Sequence, residues 1–186
     1  MLLTDAIAFA AKCHEGQFRK GTAIPYIVHP MEACAIAATL TGDPEVLSAA
    51  VLHDVVEDAG VGEEELRERF GERVAALVGA ESEQKEADAA GSWRRRKQHA
   101  VDRLAGASPD EMILTLADKL SNLRAIDRDF GALGDALWRR FNQPDREMHA
   151  WYYRSIREAL APLADTAAFR EYSALVGKVF EADGGA

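Results

Sequence analysis

Apolar positions return every third or fourth residue along nearly the whole chain, the period of one buried helix face. Nowhere do they alternate as strands joined by hairpin turns would. Helix punctuation fits the same period. "TDAIAFAAKCHEG" offers Thr4 as N-cap and Gly16 as stop. "GQFRKGTAIPYIV" is a polar loop broken by Gly21 and Pro25. "HPMEACAIAATLTG" restarts a helix with Pro30 in its first turn. "GDPEVLSAAVLHDVVEDAG" reads as one helix, with Asp43 as cap, Pro44 at its first position and Gly60 as its end. "GEEELRERFG" is a short charged helix, and "ERVAALVGAESEQKEADAA" starts amphipathic and then loses its apolar residues. A loop or frayed helix end is expected from Glu81 to Gly91. Further helices follow in "SWRRRKQHAVDRLAG", "SPDEMILTLADKLSNLRAI", "GDALWRRF", "PDREMHAWYYRSIREALAPLA" and "TAAFREYSALVGKVF", the second of them capped by Ser108 with Pro109 behind it. The pattern predicts an all-α fold of roughly nine or ten helices. It forms a single domain over residues 1–180, with a disordered tail over 181–186.

Composition narrows the function classes. A chain of 186 residues suits one domain and can bury a sizeable core. Its net charge of −9 argues against sequence-independent binding to nucleic acid or anionic membrane. No apolar run approaches the roughly 18 residues of a membrane span. The N-terminus has no cationic stretch, and Asp5 interrupts its apolar run, so it reads as a helix and not a signal peptide. Cys13 and Cys34 sit in no metal or redox spacing. They read as small buried hydrophobes in a reducing compartment, and a cytoplasmic protein is expected.

Against this apolar background, a few polar intrusions stand out. "AAVLHDVVEDAGV" places His53, Asp54, Glu57 and Asp58 within six positions of a helix otherwise bound for the core. On a continuous helix these four share an arc of roughly 140°. Three acids and an imidazole with no Lys or Arg among them call for a cation to offset desolvation. His29, in "PYIVHP", is fixed by the helix start behind it. Asp118 interrupts the most apolar helix of the chain, and Asn122 lies one turn further on the same face. His29, His53, Asp54 and Asp118 together make two imidazoles and two carboxylates, a set that suits Mn²⁺, Fe²⁺ or Zn²⁺ and argues against Ca²⁺. His14, His99 and His149 have no such company and are expected at the surface. The basic run "WRRRKQ" reads either as a solvated helix start or as a phosphate-holding edge, through Arg94 or Lys97. Tyr152 and Tyr153 read either as core or as the wall of a base pocket.

The order H…HD…D resembles the HD-domain phosphohydrolase superfamily. "GQFRKGTAIPYIVHP", "AAVLHDVVEDAGV", "EELRERFGERVAALV" and "LTLADKLSNLRAI" are similar, more narrowly, to the hydrolase domain of the RelA/SpoT homologues, over about residues 2 to 127. That resemblance implies a stand-alone small alarmone hydrolase with an HD-domain fold around a metal site. It implies removal of pyrophosphate from the 3′ position of ppGpp and pppGpp, giving GDP or GTP. It implies Mn²⁺ held by His29, His53, Asp54 and Asp118, and a water positioned or deprotonated by Glu57 and Asp58. It further implies that Arg19 packs on the guanine base beside Lys20, and that Asn122 and Arg124 contact the nucleotide.

The chain also departs from the family pattern. The loop "GTAIPY" is one residue longer between Arg19 and His29, Ala59 stands where the family has "EDT", and Ala125 replaces a polar residue after "NLR". The chain reads "GAESEQKE" where "VT" is usual. These differences bear on base and substrate preference, so adenine alarmones, NADPH 2′-phosphate and nucleoside monophosphates stay open as substrates. A nucleotide sensor without activity also stays open, although all four candidate ligands and both candidate acids are present.

Overall fold

The computed structural model describes residues 1–82 and 91–181. Among them run ten α-helices: α1 (Leu2–Cys13), α2 (Val28–Ala37), α3 (Pro44–Leu52), α4 (Val55–Ala59), α5 (Glu63–Phe70), α6 (Glu72–Glu81), α7 (Trp93–Leu104), α8 (Pro109–Leu133), α9 (Arg146–Ala159) and α10 (Ala167–Val176). A 3₁₀ segment, Gly134–Arg140, follows α8, and a π-helical turn, Gly177–Glu181, follows α10.

The long helix α8 is the axis of the molecule. Its middle is apolar on almost every face, with Leu116, Leu120 and Leu123 fully buried, so it needs partners on several sides. α2, α3, α6 and α10 all pack against it. A capping box fixes its start: the Ser108 hydroxyl accepts from the Glu111 N–H, and the Glu111 carboxylate accepts from the Ser108 N–H. Asp43 caps α3 by accepting from the Glu45 N–H at 2.9 Å. Arg73 of α6 then gathers Asp43, Glu45 and Asp110, each at 2.7 Å. The starts of α3 and α8, two helices that carry site residues, are thereby tied together.

Three departures from the sequence pattern have physical causes. The stretch from Asp43 to Gly60 is two helices and not one, because the ladder breaks at His53–Asp54. The Ala50 carbonyl, which the Asp54 N–H would take in an unbroken helix, instead accepts from the His53 ring at 2.8 Å. Asp54 sits at φ −96° and ψ −4°, and its own carbonyl starts α4 by accepting from the Asp58 N–H at 2.8 Å. Gly60 ends α4 in the left-handed region at φ 72°. Second, α1 begins at Leu2, so Thr4 lies inside it and is not its cap. Third, of the loop or frayed helix end expected from Glu81, Glu81 itself takes the helical alternative. It is the last residue of α6, continuing the face that buries Leu77 and Val78. Most of the expected loop, residues 83–90, lies outside the described residues, as does the expected tail over 182–186. Glu181, placed in that tail by the sequence pattern, belongs to the π-helical turn and pairs with Arg157 at 2.9 Å.

The "GDALWRRF" stretch is a 3₁₀ segment, since α8 runs on to Leu133 and Gly134, at φ 55°, stops it. His14 and His149 are buried, at 2% and 6% exposure, not at the surface as expected, whereas His99 is exposed. His149 sits among Trp93, Trp138 and Phe141 with its Nε2 on the Gln143 carbonyl, which removes its need for water. His14 stacks near Tyr26 with its Nδ1 on the Gln17 amide oxygen.

Leu116→Ala should lower the unfolding free energy by about 2–5 kcal/mol, the usual cost of a core cavity. Urea unfolding followed by circular dichroism measures it, and a loss below about 1 kcal/mol would contradict the place given to α8 at the centre of the core.

Candidate active site

The donors come from three places that α8 brings together. His29 sits in the first turn of α2. His53 and Asp54 occupy the break between α3 and α4. Asp118 comes from the buried face of α8. His29 Nε2 lies 3.2 Å from His53 Nε2 and 3.1 Å from Asp118 Oδ1. His53 Nε2 lies 3.1 Å from Asp54 Oδ2 and 3.5 Å from Asp118 Oδ1. His29 Nε2 is 3.5 Å from Asp54 Oδ2. All four side chains have little or no exposure, from 2% for His53 to 16% for Asp54.

Hydrogen bonds fix what each ring presents. The Ala50 carbonyl can only accept, so His53 donates from Nδ1 and turns Nε2 to the centre. On the other ring, the Ser121 hydroxyl donates to Glu32 Oε2 at 2.7 Å, so its oxygen is left to accept from His29 Nδ1 at 2.8 Å. His29 Nε2 therefore also faces the centre, and it carries no proton while the ring is neutral. Two ring nitrogens 3.2 Å apart, beside two carboxylates, need positive charge between them, either a proton or a cation.

The electrostatics say the same. Burial opposes a charged His53 ring, yet Asp54 and Asp118 outweigh it and hold its pKa well above the usual imidazole value. Burial wins at His29 and lowers its pKa, against the pull of Asp118. Burial would raise the Asp118 pKa, but Lys119 and both histidines hold it well below the carboxylate range. Asp54 is lowered too, because His53 and His29 overcome its burial. The cluster thus selects a positive charge at its centre. A divalent cation supplies that charge, and His29, His53 and Asp118 form a group able to hold one, with Asp54 beside them.

Around the donors lies a ring of supports. Lys119 contacts the other oxygen of Asp118 and reaches Glu81 Oε1 at 3.1 Å. Thr115 donates to Glu81 Oε2 at 2.8 Å. Burial would lower the Lys119 pKa, but Asp118 and Glu81 keep it well above normal, so the amine stays charged. The Tyr26 hydroxyl lies 2.8 Å from Asp54 Oδ2 and 2.7 Å from Asp58 Oδ2. Its single proton is shared between them, and burial together with both acids raises its pKa far above a free phenol. The Tyr26 bridge ties Asp58 to Asp54, while Glu57 lines the same cavity of about 160 Å³.

A second, larger cavity of about 600 Å³ opens next to the first and shares Arg19, Tyr26, Asp58 and Asn122 with it. An antiparallel bridge between Phe18 and Pro25 pins the loop that delivers Arg19 and Tyr26. Arg19 donates to Asn122 Oδ1 at 2.6 Å, and Asn122 donates to Asp118, so Arg19 stands two bonds from the donor cluster. Lys20 lines the larger cavity and reaches Asn142 at 2.6 Å. Ile126, Leu137, Phe141 and Tyr153 give it an apolar side, while Arg128 and Arg140 supply positive charge around Asp129, which pairs with both at 2.8 and 3.2 Å. Tyr153 thus serves as both core and wall, packed on Phe180, whereas Tyr152 belongs to the core. From the basic run, Lys97 lines the smaller cavity and Arg94 stacks on Trp151.

Arg124 is not brought to either cavity. Its guanidinium is held by both carboxylate oxygens of Glu171, at 2.7 and 2.8 Å, and by Glu32 at 3.0 Å. The sequence reading also passed over Tyr26, Glu81, Lys119 and Ser121. Their signals were present: Tyr26 stands three residues before His29, Lys119 follows Asp118, and Glu81 and Ser121 fall on buried helix faces.

Known proteins resemble this chain in sequence and in fold. Residues 6–138 match the HD domain family. The chain is 39% identical over 131 residues to the human protein named guanosine-3′,5′-bis(diphosphate) 3′-pyrophosphohydrolase MESH1, covering 68% of this chain and 70% of that one. It superimposes with a TM-score of 0.75 on the solved structure of a metazoan ortholog of SpoT that hydrolyzes ppGpp, at 25% identity and over 95% of this chain and 94% of the other. It is 35% identical over 131 residues to the GTP pyrophosphokinase of Myxococcus xanthus, 68% of this chain, but spans 17% of that protein's length. Two histidines and two aspartates meeting where α2, the α3–α4 break and α8 converge, within a chain so matched, place this protein in the HD-domain family.

Proposed function

We propose that this protein is a manganese-dependent hydrolase that removes the 3′-pyrophosphate of ppGpp and pppGpp, giving GDP or GTP and pyrophosphate. The observation that carries the reading is the junction of the two cavities: a buried two-histidine, two-aspartate cluster opens beside a cleft with an apolar side and a basic rim. The likeness to the human MESH1 protein, over 68% of this chain and 70% of that one, supports the same substrate.

In this reading His29, His53, Asp54 and Asp118 would hold the ion, which would supply Lewis-acid polarisation of a phosphoryl oxygen and lower the pKa of water. Glu57 and Asp58 orient the water and accept its proton as it attacks the phosphorus on the 3′ oxygen. The bond from that phosphorus to the 3′ oxygen breaks, the 3′ oxygen leaves with the nucleotide and takes up a proton to become its 3′-hydroxyl, and the water oxygen is carried off in pyrophosphate. Tyr26 keeps Asp58 aligned with Asp54. Arg19 turns from Asn122 to lie against the purine through its planar guanidinium. Lys20, Arg128 and Arg140 meet the phosphates at the open end, and Lys97 and Lys119 bring positive charge to the reacting end. The net charge of −9 argues against a nucleic acid, and the basic side chains at the cleft are what would hold a small anionic substrate.

Purified protein with Mn²⁺ and ppGpp should release GDP and pyrophosphate in equal amounts. Orthophosphate from NADPH or a nucleoside monophosphate, with no turnover of ppGpp, would overturn the substrate. Glu57→Gln and Asp58→Asn should each cut kcat by about 10²–10⁴-fold, the usual worth of general-base assistance, while Mn²⁺ affinity stays near wild type. Mn²⁺ at 100 times its Kd should stabilise the fold by about 2.7 kcal/mol, seen as a rise in melting temperature. That rise should vanish in His53→Ala and Asp118→Asn, and its persistence would rule out this cluster as the metal site.

A further inference from the structure

Behind His29 a chain of hydrogen bonds runs outward from the donor cluster. His29 Nδ1 donates to the Ser121 hydroxyl at 2.8 Å. Ser121 donates to Glu32 Oε2 at 2.7 Å, and Glu32 Oε1 accepts from Arg124 at 3.0 Å. Glu171 holds the rest of the Arg124 guanidinium in a bidentate pair. The chain passes from side chains with exposures of 3% at His29 to 37% at Arg124 and 43% at Glu171, and it joins α2, α8 and α10.

The two imidazoles are therefore oriented by different means. His53 is held by a main-chain carbonyl of its own helix, which no substitution removes. His29 is held by side chains alone. Without the Ser121 hydroxyl, Nδ1–H would face a buried site with nothing to accept it, and the ring would be free to turn or to move its proton to Nε2. A proton on Nε2 would block its lone pair. Glu32 keeps the hydroxyl pointed away from His29, and Arg124 and Glu171 fix Glu32. Glu32 and Arg124 are each about one-third exposed, so their pairing contributes little stability by itself, and its effect lies in direction.

We propose that Ser121, Glu32 and Arg124 form a positioning relay that sets the tautomer and ring orientation of His29 for metal binding. Arg124 then acts through Glu32 and Ser121 and does not touch the nucleotide. The relay rests on the divalent-metal reading of the donor cluster and not on the identity of the nucleotide.

The test is Mn²⁺ affinity of the full-length protein, measured without nucleotide by competition with a chromophoric chelator. Loss of an outer-shell partner typically costs about 10–100-fold in metal affinity. Ser121→Ala and Glu32→Ala should each fall in that range, and Arg124→Ala should lose less. Ser121→Thr keeps the hydroxyl and should recover most of the loss. Unchanged Mn²⁺ affinity in both Ser121→Ala and Glu32→Ala, or no recovery with Ser121→Thr, would overturn the relay. So would a fall in the melting temperature of the metal-free variants with no change in affinity, since that is the mark of a purely structural role. Wild-type protein that takes up no Mn²⁺ would overturn the relay together with the manganese reading. Wild-type protein that binds Mn²⁺ with the expected ranking but leaves ppGpp intact would overturn the proposed substrate and leave the relay standing.

Discussion

Two imidazole nitrogens stand 3.2 Å apart, and each lies within 3.1–3.5 Å of an oxygen of Asp54 and an oxygen of Asp118, on side chains with little exposure. Such a meeting is unfavourable unless positive charge stands at its centre. The cost is met locally by drawing a proton toward His53 and by surrounding Asp118 with Lys119 and Asn122. A metal ion meets it better, because one cation can take all four lone pairs at once. The arrangement of helices makes sense as a frame for this point. α8 presents Asp118 rigidly because its apolar neighbours are clamped on several sides, and the α3–α4 break turns His53 and Asp54 inward together.

That break also separates two tasks. The His53 ring takes the Ala50 carbonyl, the helix stops, and α4 restarts at Asp54 with its own short turn. Glu57 and Asp58 therefore stand on a separate element, not on a continuation of α3. Tyr26 joins the two parts by sharing one proton between Asp54 and Asp58. Asp58, one of the two acids proposed to act on the water, is thus tied to Asp54 through a residue from a different loop. The same loop delivers Arg19, so substrate and metal ends of the site are connected through a few residues around Phe18 and Pro25.

The helical nature of the chain, most helix starts and the four residues that meet at the cluster were legible in the sequence, and each for a local reason. Caps such as Asp43 and Ser108 act within three residues, and a charged residue in an apolar run stands out by itself. What was not legible depends on distant contacts. The break at His53 arises from a ring competing for a backbone carbonyl, which leaves no composition signal. Glu81 looked like the start of a polar loop, because its neighbours after Ser82 are polar. Its partners Lys119 and Thr115 are over thirty residues away. Arg124 looked like a nucleotide contact because it follows Asn122 in the family-like segment, yet helix geometry turns it toward Glu32 and Glu171 instead. His14 and His149 looked solvent-facing for lack of nearby partners, but both find theirs in the folded chain.

The central claim is that the four donors share one divalent ion. Crystals grown with Mn²⁺ and measured at the manganese absorption edge would test it most directly. The account predicts a single strong anomalous peak, with His29 Nε2, His53 Nε2 and one oxygen each of Asp54 and Asp118 about 2 Å away, close to the usual lengths of metal–nitrogen and metal–oxygen bonds. A peak elsewhere, or a peak at the cluster lacking either histidine, would contradict it.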